Sequence, residues 1–219
     1  MWDESMLQML LTGIGETLYM TLGSTLFAYL IGLPLGVLLV VCASDGIRPH
    51  PVLYKGLDVV VNLTRSFPFI ILLIAVMPFT RWLLGTTLGP TAVIVPLTLS
   101  AAPFVARLVE GSLKEVDIGV VEASQSMGAS AFQIIWKVLL PESRPSLIIN
   151  CAIAVTTILG YTAMAGFVGG GGLGDIAIRF GYYRRQEDVM FLTVILLIVV
   201  VEVFQCLGLW IAKRMDRRK

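Results

Sequence analysis

Charged residues are scarce in this sequence. Only 14% of its 219 residues are Asp, Glu, Lys or Arg, while 57% are hydrophobic and the mean hydropathy is +0.87. Soluble domains carry about 25% charged residues, so the composition excludes an ordinary water-soluble globular protein. The 21 Gly and 10 Pro are tolerated in membrane helices that pack against neighbouring helices. The bilayer is therefore the expected solvent of this chain.

Metal ligands, catalytic motifs and basic patches are also few or missing. There is one His, His50, and the three Cys lie far apart in or beside apolar stretches, without a partner at metal-binding spacing. The sequence contains no His-Glu-x-x-His and no Gly-x-Ser-x-Gly. The net charge is +1, and the basic residues are not gathered into one surface. We expect no metal site, no catalytic site and no nucleic-acid partner.

The first residues lack the basic region that opens a secretory signal peptide. Residues 1–4 include Asp3 and Glu4, and the first basic residue is Arg48. The first apolar helix is therefore expected to be retained.

Long uncharged runs predict an all-α membrane protein with five transmembrane helices. Residues 18–41 carry no charge over 24 positions, and as a helix they would span about 36 Å, more than the ~30 Å hydrocarbon core. The third run contains three prolines and is expected to be kinked or locally unwound. The Gly-rich, charged stretch between the fourth and fifth runs is expected to be a loop of about 20 residues. The expected spans, within a single domain over residues 1–219, are 18–41, 57–79, 88–107, 146–166 and 189–212.

Asn62, Arg65 and Glu202 lie within the expected spans. A charge at the bilayer centre costs at least about 2.5 kcal/mol, so these groups require a protein or water-filled interior, which a two-fold dimer would supply. Arg65 either lines a pathway or snorkels to the headgroups. It shares a helix face with Asp58, two turns earlier, but the two are too far apart for direct contact. Glu202 is open to the same two interpretations.

The distribution of Lys and Arg predicts an orientation. Of the 16 basic residues, eleven fall on one side of the five spans and four on the other, and Arg65 lies within a span. Basic loops stay in the cytoplasm, so the N-terminus is predicted outside, and the C-terminus and the 113–145 segment are predicted inside.

The 113–145 segment carries a spaced motif. Glu122, Ala123 and Ser124 are followed after three residues by Gly128, and after nine more by Val138-Leu139-Leu140-Pro141. This resembles the Glu-Ala-Ala loop of the membrane subunits of bacterial ABC importers, with every spacing kept and with Ser124 and Val138 replacing Ala and Ile. The resemblance implies that Glu122, Ala123, Ser124, Gly128, Val138, Leu140 and Pro141 couple the chain to a partner ATPase.

The residue types of the motif have their own physical meaning. Small side chains after Glu122 let a partner surface approach, and Gly128 permits a sharp change of direction. Residues 129–138 are expected to form a second helix whose apolar face includes Phe132, Ile135 and Trp136, and Pro141 is expected to end it. An interfacial helix lying on lipid is the alternative, although its polar face is not strongly basic.

The chain has no nucleotide-binding site of its own. It lacks Gly-x4-Gly-Lys-Ser/Thr, so ATP and Mg²⁺ are expected on a separate ATPase and no cofactor in this chain. Gly169, Gly171 and Gly174 fit Gly-x-Gly-x-x-Gly, but they follow a membrane helix instead of a strand, and Asp175 would repel a phosphate. A turning loop is the better interpretation.

A finer resemblance covers essentially the whole chain. Residues 169–182, directly after Ala163-Met164-Ala165-Gly166, together with Thr64-Arg65-Ser66-Phe67-Pro68-Phe69, are similar to the methionine importer permeases. This implies the type I ABC importer permease fold, a homodimer in the bacterial inner membrane with two ATPase copies, and an extracytoplasmic methionine-binding protein. The implied substrate is methionine, in the L and also the D form. Another small amino acid or related solute is the alternative, followed by an ATPase-independent secondary transporter.

Selectivity within the membrane has few visible determinants. Met164 and Tyr161, near the outer end of the fourth span, are candidates for an apolar gate, and Arg65 is a candidate pathway residue. The hydroxyls of Thr156, Thr157 and Thr162 are candidate partners for a zwitterionic solute.

Overall fold

A computed structural model describes residues 4–215 of the chain. Residues 1–3 and 216–219 lie outside the described part. The second of these ranges includes Arg217, Arg218 and Lys219, three basic residues that contributed to the predicted orientation. All regular secondary structure in residues 4–215 is helical. The helices are α1 (Glu4–Cys42), α2 (Pro51–Ser66), α3 (Phe69–Leu84), α4 (Pro90–Lys114), α5 (Ile118–Ser126), α6 (Ala131–Ile134), α7 (Leu140–Glu142), α8 (Arg144–Ala165), α9 (Gly172–Ile176) and α10 (Glu187–Met215).

Within residues 4–215, four helices are long and apolar enough to cross a membrane. They are α1, α4, α8 with the 3₁₀ turn that follows it, and α10. The 39 residues of α1 extend over about 58 Å, well beyond the hydrocarbon core, so part of this helix lies outside the apolar layer. The bent pair α2 and α3 makes a fifth span if it is counted as one.

The segment predicted as the second span is broken near its middle. Helix α2 ends at Ser66 and α3 starts at Phe69, with a bend of 106° between them. Pro68 explains the break: it has no N–H to donate, and its ring disfavours a helical conformation at Phe67. With ψ at 130°, Pro68 is extended, and its carbonyl accepts hydrogen bonds from the first turn of α3.

The third span is more regular than the sequence suggested. Pro90, Pro96 and Pro103 all lie in α4, which is one continuous α-helix of 25 residues, so the expected local unwinding does not occur. Pro90 occupies the first helical position, where no N–H is needed. Proline inside a membrane helix is tolerated when the neighbours satisfy the released carbonyl groups.

The stretch expected to be a loop between the last two spans is largely helical. A 3₁₀ turn (Gly166–Val168), α9 and a π-helical stretch (Ala177–Tyr182) follow α8. Glycine composition and charge suggested a loop, but the glycines are needed for close packing. A Cβ on Gly166 would come within 2.5 Å of the backbone at Gly174 and Asp175, so glycine lets the two turns lie against each other.

The helices contribute to two compact units. The first contains Met1–Phe27, Phe67–Ala101 and Val155–Gln205. One of its apolar clusters joins α1, α3, α4 and α8, and a second joins α1, α9 and α10. The first cluster is built on Met20, Phe69, Leu73, Val93, Leu97 and Ala165, and the second on Leu10, Leu173, Ile176 and Val189.

The second unit contains Ala28–Ser66, Ala102–Ala154 and Cys206–Lys219. Its apolar cluster is formed by Leu39, Val61 and Ala106, with Tyr54 and other partly buried side chains around it. Helices α1 and α4 approach closely at Gly32 and Gly36. A Cβ on either glycine would lie 2.6 Å from a carbonyl oxygen of α4, so only glycine permits this packing.

Candidate coupling and translocation sites

The 113–145 segment begins with a capped helix. Asp117 precedes α5, and its carboxylate accepts a hydrogen bond from the backbone N–H of Gly119 at 2.7 Å. Glu122 and Ala123 lie exposed on α5, while Ser124 is buried and its hydroxyl donates to the carbonyl of Val120 at 2.8 Å. The three neighbouring motif residues therefore divide between an exposed face and a packed one.

Gly128 ends α5 in a Schellman motif. Its φ is +79°, in the left-handed region, where a residue with a Cβ is strained. The N–H of Ala129 donates to the carbonyl of Ser124 at 3.1 Å, and the N–H of Gly128 donates to Gln125 at 2.9 Å. These two bonds satisfy carbonyl groups that the end of a helix would otherwise leave unpaired. The motif requires glycine for its backbone conformation.

A capping box starts the second helical part of the segment. The Ser130 hydroxyl accepts from the N–H of Gln133, and the Gln133 side chain accepts from the N–H of Ser130 at 2.8 Å. Ser130 was not predicted as a cap, although Ser-x-x-Gln before an apolar run is a recognisable signature. The helix starts at Ala131 instead of Ala129, and it continues through a π-helical stretch, Ile135–Leu139.

Pro141 does not end the helix where the sequence suggested. Leu140 and Pro141 belong to the short helix α7, which closes at Ser143, and Val138 lies in the π-helical stretch. Pro141 lies in the first turn of α7, where a backbone N–H has no intrahelical partner, so the proline costs this helix no hydrogen bond. The hydroxyl of Ser143 donates to the carbonyl of Leu139 at 2.7 Å and so occupies one of the last carbonyls.

An exposed apolar surface lies on the same segment. Met127 is 82% exposed, and Phe132 and Trp136 are 71% and 63% exposed, with their rings stacked at 6.2 Å. Phe132 and Trp136 were expected on the apolar face together with Ile135, which is half-buried, whereas Met127 was not expected there. Beneath this surface Ile134 and Leu139 are buried, so one side of the segment packs on the chain and the other is free for a partner.

The candidate gate residues occupy different environments on α8. The ring of Tyr161 stacks on Phe69 of α3, with centroids 4.5 Å apart and planes 8° from parallel. Tyr161 packs against the buried cluster of Met20, Leu73 and their neighbours. Met164, three residues on, is 46% exposed. The structure therefore places Tyr161 in a packed contact and leaves Met164 accessible on the chain.

The polar residues of the expected spans have specific surroundings. Arg65 is exposed in the last turn of α2, and Glu202 is exposed on α10. Asp58 contacts Asn62 on its own helix and Arg107 of α4. Asp58 and Arg65 are not paired, in agreement with their separation of two turns. Of the candidate threonines, Thr162 is buried and its hydroxyl donates to the Leu159 carbonyl at 2.7 Å.

The first N–H groups of α9, in the glycine-rich stretch, are bonded to side chains of α1. The N–H of Gly172 donates to the carboxylate of Glu16 at 2.6 Å, and the N–H of Leu173 donates to the hydroxyl of Thr17 at 2.9 Å. Two adjacent side chains of α1 therefore occupy the first N–H groups of α9, the groups that a phosphate would require. Residues 4–215 also contain no cluster of three or more His, Cys, Asp or Glu arranged to hold a metal ion.

Helices of this length and apolarity define a polytopic membrane protein. Residues 28–219 match the family described as "Binding-protein-dependent transport system inner membrane component". The chain therefore belongs to this family, the permease subunits of ABC importers.

Two curated relatives illustrate the similarity. A probable D-methionine transport system permease protein of Vibrio cholerae is 46% identical over 217 residues, covering 99% of this chain and 96% of the relative. The D-methionine transport system permease protein of Escherichia coli is 49% identical over 164 residues, covering 75% of this chain and 76% of the relative.

Solved structures agree with the predicted fold class. A chain of the MetNI methionine ABC transporter, described as inward facing, is 45% identical with a TM-score of 0.97, covering 99% of this chain and all of that one. A chain of an amino acid ABC transporter crystallised with histidines has a TM-score of 0.78 at 18% identity, covering 98% of this chain and all of that one, and it shows the fold alone. The predicted all-α, type I importer permease fold is confirmed.

Proposed function

We propose that this chain is the permease subunit of an ATP-driven importer that carries methionine across the bacterial inner membrane. The observation that carries the proposal is the match to the MetNI transporter chain, 45% identical over nearly the full length of both chains. The names of the curated relatives support the D form of methionine as a substrate. The family description supports an inner-membrane location.

ATP hydrolysis is assigned to a separate ATPase with bound Mg²⁺, and the 113–145 segment to its docking. Met127, Phe132 and Trp136 offer an apolar contact surface, and Glu122 offers a charge beside it. Both helical parts of this segment have fixed ends, since Asp117 and Gly128 bound the first and Ser130 caps the second. A short, well-capped segment transmits a rigid-body displacement better than a flexible loop.

The proposed complex contains two copies of this chain and two ATPase subunits. Glu202 lies exposed on α10, one of the helices that are long and apolar enough to cross a membrane. Placing this carboxylate against lipid would be costly, and a second copy or a water-filled pathway would receive it. An extracytoplasmic methionine-binding protein would deliver the solute. The proposed orientation places the N-terminus outside and the 113–145 segment in the cytoplasm, following the basic residues.

Transport would follow alternating access. ATP-driven closure of the two ATPases moves the 113–145 segments and opens the pathway outward, and hydrolysis returns it inward. Tyr161, Met164 and Arg65 are the proposed gate and pathway residues. Met164 is the accessible apolar group among them, and Tyr161 is fixed by its stacking on Phe69.

The test begins with partner identification. The tagged chain is purified from its host in mild detergent, its stoichiometric partners are identified by mass spectrometry, and the complex is reconstituted into liposomes with its binding protein. The expected result is a P-loop ATPase at equal stoichiometry and ATP-dependent uptake of labelled L-methionine, with competition by D-methionine. Uptake without ATP by an intact chain that recruits no ATPase would overturn the proposal in favour of a secondary transporter. ATP-dependent uptake of a different amino acid, with no methionine uptake, would overturn the substrate assignment.

A matched pair of tryptophan variants tests the docking surface. Trp136→Ala removes an exposed ring of the 113–145 segment, while Trp82→Ala removes a ring that is 79% exposed on α3. We expect the first variant to weaken ATPase association by about tenfold or more, as central aromatic contacts do, and the second to leave it unchanged. Equal association in both variants would contradict docking at this surface.

A further inference from the structure

A buried carboxylate lies near the end of α4. Glu110 is 5% exposed, and both of its oxygens are bound by cations of the same helix. Oε2 accepts from Nη1 of Arg107 at 2.6 Å, and Oε1 accepts from Nζ of Lys114 at 2.7 Å. The three side chains therefore form a charged row along the last two turns of α4.

The row continues onto α2. The other guanidinium nitrogen of Arg107, Nη2, donates to the Asp58 carboxylate and to Oδ1 of Asn62, the latter at 3.0 Å. The Asn62 amide in turn donates to Asp58 at 3.3 Å. We call these five residues, Asp58, Asn62, Arg107, Glu110 and Lys114, the α2–α4 cluster. Its two carboxylates and two cations balance, so the cluster as a whole is neutral.

Helix α8 holds α4 through a second set of polar contacts. The Asn150 amide donates to the hydroxyl of Ser112 at 2.7 Å and to the carbonyl of Leu108 at 3.3 Å. The Ser146 hydroxyl donates to Glu115 at 2.8 Å. The last turns of α4 are thus bound to α2 by the cluster. Hydrogen bonds between neutral groups bind them to α8, and Glu115, the residue after α4, adds a bond between a carboxylate and a hydroxyl of α8.

The same turns of α4 lead directly into the 113–145 segment. Lys114 is the last residue of α4, and the Asp117 cap of α5 follows three positions later. The N–H of Val116 still bonds to the carbonyl of Leu113, and both side chains are buried. The connection is therefore short and tightly packed, and displacement of α5 displaces the end of α4.

Net stability is a weak explanation for the cluster. Removing charges from water costs several kcal/mol per ion, and apolar side chains of similar volume often stabilise a protein equally well. An ion pair does provide a single preferred geometry, because a planar guanidinium donates its hydrogen bonds in fixed directions. Arg107 contacts Asp58 and Asn62, one turn apart on α2, and this fixes the register of α2 against α4.

We infer that Asp58, Arg107 and Glu110 are positioning residues that make α2 follow the movement of the 113–145 segment. The inference deepens the proposed function and rests on it, since the movement is driven by the ATPase. With the cluster intact, α2, α4 and the base of α8 move as one body. With the cluster broken, α5 and α4 still respond to the ATPase, but α2 loses its register.

The test uses Asp58→Asn in the reconstituted complex. This variant keeps the shape and one acceptor oxygen of the side chain but leaves the cluster with a net positive charge. Asp58→Glu restores the charge, and Asp188→Asn, at an exposed position in the first turn of α10, is the matched control. The readouts are methionine transported per ATP hydrolysed, and hydrogen–deuterium exchange of residues 51–66 and 118–126 with and without a non-hydrolysable ATP analogue.

In the wild type and in Asp188→Asn we expect nucleotide to change exchange in both α5 and α2. In Asp58→Asn we expect the change in α5 to remain and that in α2 to disappear. Transport per ATP should fall by about tenfold, equivalent to ~1.4 kcal/mol of coupling free energy, with basal ATPase activity within about twofold of wild type. Asp58→Glu should recover most of the transport per ATP.

An unchanged α2 response, or unchanged transport per ATP, in Asp58→Asn would overturn the inference. The exchange measurement needs no methionine, so it stands even if the substrate assignment fails. If Asp58→Asn does not assemble, Asn62→Ala replaces it, because this variant removes one contact to Arg107 and retains all four charges. It should give the same loss of the α2 response to a smaller extent, and a full α2 response in it would equally overturn the inference.

Discussion

Gly128 allows a quantitative test of the 113–145 segment. Its φ of +79° lies in the left-handed region, and a Cβ built on it meets no atom within 4 Å. The cost of Gly128→Ala in the isolated chain is therefore backbone strain alone, about 1–2 kcal/mol. Asparagine adopts this conformation more readily than alanine, so Gly128→Asn should cost less. A β-branched residue should cost more, and Gly128→Val is expected to be the poorest of the three.

The strain is divided between folding and docking. If the segment of Gly128→Ala relaxes to another conformation in the free permease, the whole strain energy is lost from the binding free energy of the ATPase. Its association then weakens by about 5- to 30-fold. If the segment keeps its Schellman motif in the free permease, the strain instead lowers the free energy of unfolding of the variant. The assay is a titration of the reconstituted permease with ATPase subunit, read by ATP hydrolysis, beside thermal unfolding of each variant. The sum of the two losses should stay near 1–2 kcal/mol for alanine.

Gly111→Ala is the matched control. Gly111 lies in α4, is exposed, and also has open space around its Cβ position, but its φ is not positive. Alanine there should be neutral or stabilising by up to about 1 kcal/mol. If Gly128→Asn proved as poor as Gly128→Ala, a steric contact with the partner would be acting instead of backbone strain. Wild-type behaviour of Gly128→Ala would refute the reasoning altogether.

Three further substitutions have expected outcomes. Gly36→Ala should lower the free energy of unfolding by about 1–3 kcal/mol, measured in a denaturant or thermal series, because its Cβ would lie 2.6 Å from the Ala106 carbonyl oxygen. Gly56→Ala is the control and should leave the free energy of unfolding unchanged, because no atom lies within 4 Å of its Cβ position. Ser130→Ala should cost about 1 kcal/mol through loss of the capping box, and Ser130→Asp should recover most of it, measured by exchange of the amide protons that follow. Glu16→Ala should raise the exchange rate of the Gly172 amide, whereas Glu16→Gln keeps an acceptor there; equal protection in both variants would contradict the assigned contact.

Sequence patterns predicted the elements that depend on local chemistry. Uncharged runs identified four long helices, because length and apolarity alone decide whether a helix crosses a bilayer. The change of direction at Gly128 follows from glycine itself, and its φ of +79° agrees with that expectation. The Glu-Ala-Ala spacing located the segment. The coupling role of its residues stays a prediction.

The elements that depend on tertiary contacts were predicted poorly. The glycines of residues 169–174 suggested a loop, because composition does not reveal that Glu16 and Thr17 of α1 cap the helix that follows them. Proline content suggested a kinked or locally unwound third span, whereas α4 is one continuous α-helix. For the glycine-rich stretch the decisive hydrogen bonds come from residues distant in the chain, and local propensity carries no information about them.

The charged residues illustrate the same limit most clearly. Helical spacing relates Asp58 only to neighbours within a few turns, and it directed attention to Arg65, seven positions away. The actual cation is Arg107, 49 positions away on another helix. Nothing in the sequence of α2 shows whether Asp58 pairs with Arg65 or with Arg107. A long-range ion pair is selected by the packing of apolar helix faces, which brings the two charges together. Here those faces are the cluster of Leu39, Val61 and Ala106, which sets α2 against α4 and so determines which arginine Asp58 meets. A change in that apolar packing should therefore alter the ion pair as well, and Val61→Ala is expected to weaken transport per ATP in the same direction as Asp58→Asn without removing any charge.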